Sequence, residues 1–267
     1  MTVVAVLSMK GGVGKTTVAL GLVSAAWDRH LGALVIDLDP QANASMPLEV
    51  MDAPFTSSDV LADARPGVAR EAIVATGWGR GIDAIRSERS LEHRTSDRSR
   101  ASSLRLRTAL ATVPRDYPLV MIDCPPSLGE LTRNALSAAD TAVVVTEANY
   151  FAVHGAAEAL EAVDVVRNSS NPSLKSAALV LNRFRPDDRE QQLHKAELDT
   201  RYGSLVFDPP LPECPALPMS QRSCSPIHAW TAPGSSELAA TFDDLLDSLL
   251  PPVRPARPTP SIRRFFT

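Results

Sequence analysis

Cysteine is scarce in this sequence and odd in number. Cys124, Cys214 and Cys224 are the only three in 267 residues, and none stand in Cys-x-x-Cys spacing. That excludes a disulfide framework and a structural zinc site, and it fits a reduced compartment. No apolar run approaches the roughly 18 residues that a membrane-spanning helix needs. Met1 to Leu7 lacks the basic region and cleavage site of a secretory signal, so a cytoplasmic protein is expected. A surplus of positive charge is missing too, the formal net charge being −4. A protein that coats nucleic acid with its whole surface is thereby excluded, although a local basic patch is not. No internal repeat is visible.

What is present alternates between strand and helix patterns. Val3 to Ser8 is a continuous apolar run of the kind buried on both faces of a parallel sheet. A helix is expected from Lys15 to Arg29 and a strand from Ala33 to Asp37. Helical pieces follow at 58–64 and 68–76, with a weak strand at 82–85. A basic helix is expected over 98–113, ended by Pro114. Further strands fall at 119–123, 141–145, 177–181 and 205–207, with helices at 128–138, 153–167, 188–202 and 235–250. Such alternation implies βαβ units and a mainly parallel twisted sheet flanked by helices on both faces. The proline-dense stretch Pro209 to Pro218 reads as a loop. Residues 251–267 carry five prolines and four arginines and no acid, so 1–250 is expected to be the folded domain and the rest an extended tail.

The segment Lys10-Gly-Gly-Val-Gly-Lys-Thr-Thr17 joins the first strand to the first helix. Phosphates need many backbone N–H donors at close range, and Gly11, Gly12 and Gly14, with Val13 between them, let the chain wrap that tightly. The helix start adds its partial positive charge. Lys15 would reach the β and γ phosphates, Thr16 would hold Mg²⁺, and Thr17 would touch the α phosphate. The usual G-x-x-x-x-G-K-[ST] pattern fails, because Met9 stands where its first glycine belongs and an extra lysine, Lys10, follows. The plain alternative is a glycine turn with two surface lysines.

Two acidic strand ends accompany the loop. Asp37 and Asp39 close the second strand in DLDPQANAS, and Asp123 closes LVMIDCPPSLG after four apolar residues. Ligands of open α/β sheets collect at such carboxyl edges. Asp123 suits the metal-holding role seen at the equivalent strand of phosphoryl-transfer enzymes. Cys124 reads as a buried filler.

With its extra Lys10, the loop resembles the signature of the deviant-Walker ParA/MinD ATPases, most closely the short ParA-type partition proteins. The likeness extends over roughly residues 2–250, through Leu131, Asn134–Leu136, Ala139–Asp140, Tyr150–Ala152 and Gly155. It implies a P-loop NTPase fold, ATP and Mg²⁺ as cofactors, and slow hydrolysis stimulated by a partner. It implies that Lys10 reaches across a homodimer to the partner's phosphates, a kind of contribution worth about 10³ to 10⁵ in rate. Asp39 would position the attacking water, with Asp37 supporting Mg²⁺ or the loop. Asn182 would read adenine and the loop at Pro212 would pack along the base; a mere strand-ending role for Asn182 is the alternative. Ala42 and Ser45 replace a typical glycine and threonine, and Thr146 a typical proline.

ParA-type members bind non-specific DNA as ATP dimers and are discharged by a ParB-type centromere-binding protein, which implies a nucleoid-associated location. Candidate DNA contacts are Arg183, Arg185, Arg189, Arg201 and Arg222, with Lys195 and the arginine-rich run from Arg86 to Arg107. A solvated helix face explains such a run as well. Glu213 and Ala216 stand where short ParA proteins often carry arginines. The rival is a MinD-like membrane positioning ATPase, using the basic and apolar residues 261–267. Alone, so short a segment would hold lipid only weakly, so a membrane partner is not expected. The tail has no tyrosine, which speaks against a tyrosine-kinase relative. The cysteines do not suit a cluster shared across a dimer.

Overall fold

Alternate residues of the first strand enter two different cores. In β1 (Thr2–Leu7) every residue is buried; Val3, Ala5 and Leu7 face one side of the sheet, Val4 and Val6 the other. A strand with period-two side chains can be apolar throughout only when helices cover both faces. The computed structural model describes residues 1–95, 102–113, 117–175 and 177–250.

The chain runs β1, α1 (Lys15–Asp28), β2 (Ala33–Asp37), α2 (Ser57–Asp63), β3 (Val74–Ala75), β4 (Ile82–Ile85), α3 (Arg105–Ala109) and β5 (Leu119–Asp123). It continues through α4 (Glu130–Ala138), β6 (Thr141–Glu147), α5 (Ala152–Arg167), β7 (Ala178–Asn182), α6 (Arg189–Tyr202), α7 (Ala216–Arg222) and α8 (Ser235–Leu249). The sheet order is β3-β4-β2-β5-β1-β6-β7, parallel throughout except where β3 pairs antiparallel to β4. This is the mainly parallel, two-sided α/β architecture expected. β5 inserts between β1 and β2, in a register that sets Asp37 beside Asp123 at the carboxyl edge.

One core lies under α2 to α5 and the other under α1 and α8. Every residue of α1 from Val18 to Ala26 is buried, because the sheet covers one side and α8 the other. The closest approach is at Gly21, where an added Cβ would stand 2.1 Å from the ring of Phe242 in α8. Arg29, after α1, fixes the same pair of helices by donating to Asp243 at 3.0 Å and to Asp247 at 3.2 Å.

Four local expectations fail. The basic helix over 98–113 is, in its described part, a 3-10 turn at Ser102–Leu104 followed by the short α3. Asn134 accepts the N–H of Leu106, as a partner does for a free donor in a first helical turn, and so fixes the start near Arg105. Over 68–76 a 3-10 turn (Val68–Ala72) gives way to β3, where the adjacent β-branched Ile73 and Val74 favour extension. The strand at 205–207 is a 3-10 turn, Gly203–Leu205, plus a single bridge from Val206 to Leu179. Pro209 and Pro210 lack the N–H groups a longer ladder needs. The proline-dense stretch, read as a loop, contains α7. Its prolines fall at the cap (Pro215) and in the first turn (Pro218), where a helix tolerates a missing N–H. Pro114 and the tail from 251 lie outside the described residues.

Candidate nucleotide-binding site

The phosphate loop is drawn tight against the end of β7. Gly14 caps α1 at φ 94°, a left-handed conformation that suits glycine. A Cβ there would sit 2.2 Å from the Asn182 amide nitrogen. Asn182 is buried and donates that nitrogen to the Val13 carbonyl at 2.8 Å. Arg183 donates to the neighbouring Gly12 carbonyl at 3.0 Å and to Glu147 at 2.9 Å. Two successive loop carbonyls are thus paired within the chain.

Behind the loop sits a dense group of charges. Lys15 is buried, its ammonium 3.1 Å from the Ser8 hydroxyl at the end of β1. Burial lowers its pKa, opposed by Asp123, Cys124 and Asp39. Asp123 accepts a 2.7 Å hydrogen bond from the Thr16 hydroxyl through Oδ2. Its Oδ1 is buried and without a partner. Burial, with Asp37 adding to it, pushes Asp123 well above the usual carboxylate range; Thr16 and Lys15 pull the other way. An orphaned carboxylate oxygen beside a hydroxyl is an oxygen donor set of the type Mg²⁺ takes, directly or through water. Thr16 and Asp123 therefore fit the cation, which when bound neutralises charge on the phosphate oxygens.

Asp37 does something else. Oδ1 accepts from the Asp39 N–H, and Oδ2 from Ala44 N, Ser45 N and the Ser45 hydroxyl at 2.8–3.2 Å. Those bonds suit loop support, one of the two roles expected for it; the other, support of Mg²⁺, would act from its place beside Asp123 at the strand edge. Burial lifts it to about 6 against those bonds. Ser45 thus stands in for the typical threonine, also accepting from Ser87 N at 3.2 Å. Ala42 adopts φ 56°, the conformation for which the typical glycine is suited. Asp39 is buried, accepts from Gln41 N at 2.9 Å and lines the phosphate cleft.

Two adjoining clefts of about 400 Å³ each receive these groups. One is lined by Gly11, Gly12, Gly14, Lys15, Thr16 and Asp39. The other is lined by Asn182, Pro212, Glu213, Cys214, Leu217 and Pro218; Thr17, Arg183 and Gln221 belong to both. A triphosphate in the first and a base in the second is the division this shape allows. Asn182 gives one amide N–H to Val13 and keeps its carbonyl oxygen and second N–H for a base. A roomier cleft of about 650 Å³ between α4 and α5 is lined by Leu128, Leu136 and Val165 together with Arg133, Glu158 and Glu161, and by none of the residues of this charge cluster.

Lys10 faces neither half. It is exposed, with its ammonium 5.5 Å from the ring centroid of Phe151, in a separate small cleft with Val13, Glu147 and Asn149. Cys124 is fully buried and its thiol is pushed up, mainly by burial, as a filler requires. Sequence reasoning missed Ser8, Glu147 and Gln221. Ser8 and Glu147 could have been found as polar residues ending apolar strands beside the loop. Gln221, whose amide lies 3.4 Å from the Thr17 hydroxyl, was hidden with α7.

The proposed DNA contacts are scattered in role. Arg183 is engaged at the phosphate loop. Arg185 pairs with Asp188 at 2.5 Å and approaches Glu213; Lys195 pairs with Asp199 and Asp208. Arg201 lies over the Tyr202 ring, while Arg189 and Arg222 are exposed. In the arginine-rich run, Arg86 donates to the Met51 carbonyl, Arg105 to Leu61 and Ala62, and Arg107 to Ser170. Those three brace the fold. Arg98 and Arg100 lie outside the described residues.

Comparison with known proteins agrees with this chemistry. A family model described as an AAA domain matches residues 1–176. The chain is 35% identical over 219 residues to the chromosome partitioning protein ParA of Caulobacter vibrioides, covering 79% of this chain and 80% of that one. It is 32% identical over 238 residues to the chromosome-partitioning ATPase Soj of Thermus thermophilus, covering 87% and 90%. Among solved structures, cobyrinic acid a,c-diamide synthase from Mycobacterium smegmatis, with bound ADP and magnesium, superposes with a TM-score of 0.77 at 27% identity, over 93% of this chain and 94% of that one. The phosphate loop without its first glycine, the two acidic strand ends and these relatives together place the chain in the ParA family of P-loop ATPases.

Proposed function

We propose that the protein is an ATP- and Mg²⁺-dependent switch that dimerises around its nucleotides, binds DNA non-specifically in the ATP state, and is discharged by a ParB-type partner. The supporting observation is the direction of Lys10. A lysine within the phosphate loop that turns away from its own cleft is free to serve another. Around it Met9, Tyr150 and Phe151 are 42%, 70% and 61% exposed, an apolar rim at the mouth of the loop. Such rims mark contact surfaces. Lys15 and Thr16 meet the phosphates and metal of their own subunit, Asp39 orients water, and Lys10 completes the opposite subunit's site. Residues 1–250 form the ATPase domain in this reading.

DNA binding then rests on a modest patch. Helix α6 balances Arg189, Lys195 and Arg201 against Glu190, Glu197 and Asp199. Arg189, Arg201 and Arg222 are the candidates left after the paired and loop-bound cations are removed. Doubling by dimerisation supplies what one subunit lacks, giving the weak, salt-sensitive affinity of roughly 10⁻⁴ to 10⁻⁶ M typical of phosphate neutralisation. The result is a nucleoid-associated protein.

Gel retardation of arbitrary duplex DNA tests this reading. Retardation is expected with ATP and Mg²⁺, and should vanish with ADP or added salt. DNA binding that ignores the nucleotide would sink it. Among the described residues no helix is long and apolar enough to cross a membrane. The MinD-like rival rests on 261–267, outside the described residues; ATP-dependent sedimentation with anionic liposomes, lost on deleting those seven, would favour it instead.

A further inference from the structure

We infer that Arg183, held by Glu147, is a positioning residue for the phosphate loop rather than a contact to nucleic acid. An anion cradle works only if successive peptide groups turn their N–H bonds inward and their carbonyls out, since an inward carbonyl repels phosphate. Two consecutive carbonyls of this loop are each taken up by one of two consecutive residues at the end of β7, so neither is left unpaired to repel an anion. Asn182 takes the Val13 oxygen at 2.8 Å and Arg183 takes the Gly12 oxygen at 3.0 Å. The amide is neutral and buried. The guanidinium is charged and half exposed, and needs its own anchor; Glu147, at the end of β6, supplies it at 2.9 Å.

The backbone bears the same mark. Arg183 holds φ 55°, a left-handed conformation that non-glycine residues seldom adopt. It is fixed there by neighbours on both sides: Asn182 is tied to Val13, and Phe184 donates its N–H to the Leu211 carbonyl at 2.9 Å. Strain held in place by its surroundings clusters at functional sites. Arg183 also lines both clefts, so its charge lies where triphosphate meets base. From Glu147 the chain runs straight into Asn149, whose side chain accepts the Phe151 N–H at 3.1 Å, and Phe151 underlies Lys10. The brace on Gly12 and the rest position of Lys10 thus share one short segment.

The inference rests on the ATPase reading of the clefts, and a nucleotide-affinity series tests it apart from the partition reading. Fluorescent ATP and ADP analogues would be titrated into the wild type, Arg183→Gly, Arg183→Lys and Glu147→Gln. Glycine relaxes the left-handed backbone while removing the side chain, so weaker binding there cannot be blamed on strain. Arg183→Gly should weaken both nucleotides roughly tenfold, as loss of a charge-assisted hydrogen bond does. It should raise KM with kcat at saturation nearly unchanged, and leave the melting temperature without nucleotide unmoved. Lysine should restore part of the affinity, and Glu147→Gln should cost a few-fold. Unchanged affinities in Arg183→Gly would overturn the inference. So would intact affinities with DNA retardation lost at saturating ATP, which would return Arg183 to the DNA surface. If the wild type itself retards no DNA, the partition reading falls while the affinity series still decides the role of Arg183.

Discussion

The corner around Lys15 and the arginines elsewhere on the chain handle charge in opposite ways. In the corner, Asp37, Asp39, Asp123 and Lys15 are all buried, three acids against one base, with the inner oxygen of Asp123 left unpartnered. On the outside, Arg29, Arg65, Arg105 and Lys195 are matched to acids or carbonyls within the chain. Matched charges stabilise a fold and ask for nothing more. Under-compensated buried charges lower stability until a ligand arrives, which is the arrangement expected of a binding site.

The contrast breaks most readily at its centre. Lys15→Ala should cut turnover by about 10²- to 10³-fold, the scale of removing one preorganised donor to developing phosphate charge; a steady-state ATPase assay that finds most activity retained would remove Lys15 from the chemistry. Asp123→Asn should also abolish Mg²⁺-dependent turnover, yet make the ligand-free protein more stable. The sign follows from the raised pKa: a carboxyl that prefers its proton in the fold contributes stability at low pH and loses it as pH climbs through the raised value. Its charge is therefore disfavoured in the ligand-free fold, and Asp123→Asn should raise the melting temperature measured without nucleotide. Asp37, lifted to about 6, adds the same trend: without nucleotide, stability should fall as pH rises from about 4 through 6, and ATP with Mg²⁺ should flatten the slope. A lower melting temperature for ligand-free Asp123→Asn would contradict the picture of uncompensated charge.

The outer arginines sharpen the comparison with smaller effects. Arg105→Ala should cost about 1–2 kcal/mol of stability, read in urea, through its two carbonyl partners, without altering the salt dependence of DNA binding. The pair Arg189→Ala and Arg222→Ala should do the reverse: near-normal stability and a salt slope shallower by about one per residue. The smallest effect belongs to Ala42→Gly, which relieves a left-handed alanine and should raise stability by roughly 0.5–1 kcal/mol. Thermal melts showing a loss there would mean the alanine methyl packs to advantage.

These differences also explain what the sequence reveals unaided. The parallel sheet, the phosphate loop and the acidic strand ends are legible because each is local: apolar runs buried on both faces, a glycine-rich turn, a carboxylate closing a strand. The roles that depend on distant partners are not. Nothing near Arg183 announces that its guanidinium meets Gly12, 171 residues away. Arg105 looks like part of a basic helix until Leu61 and Ala62 are brought beside it. Asp37 reads only as an acid closing a strand until the turn at Ala44 and Ser45 folds back onto it. Helix α7 escapes because prolines punctuate sequence more loudly than they break a first helical turn.

The central claim is that Lys10 completes the active site of a second subunit. Light scattering of wild type and Lys10→Ala with a slowly hydrolysed ATP analogue and Mg²⁺, alongside nucleotide titration, tests it most directly. The account predicts that wild type doubles its mass with the ATP analogue and not with ADP, while Lys10→Ala still binds nucleotide but stays a monomer and does not turn over. Nucleotide-dependent doubling and normal hydrolysis in Lys10→Ala would contradict it.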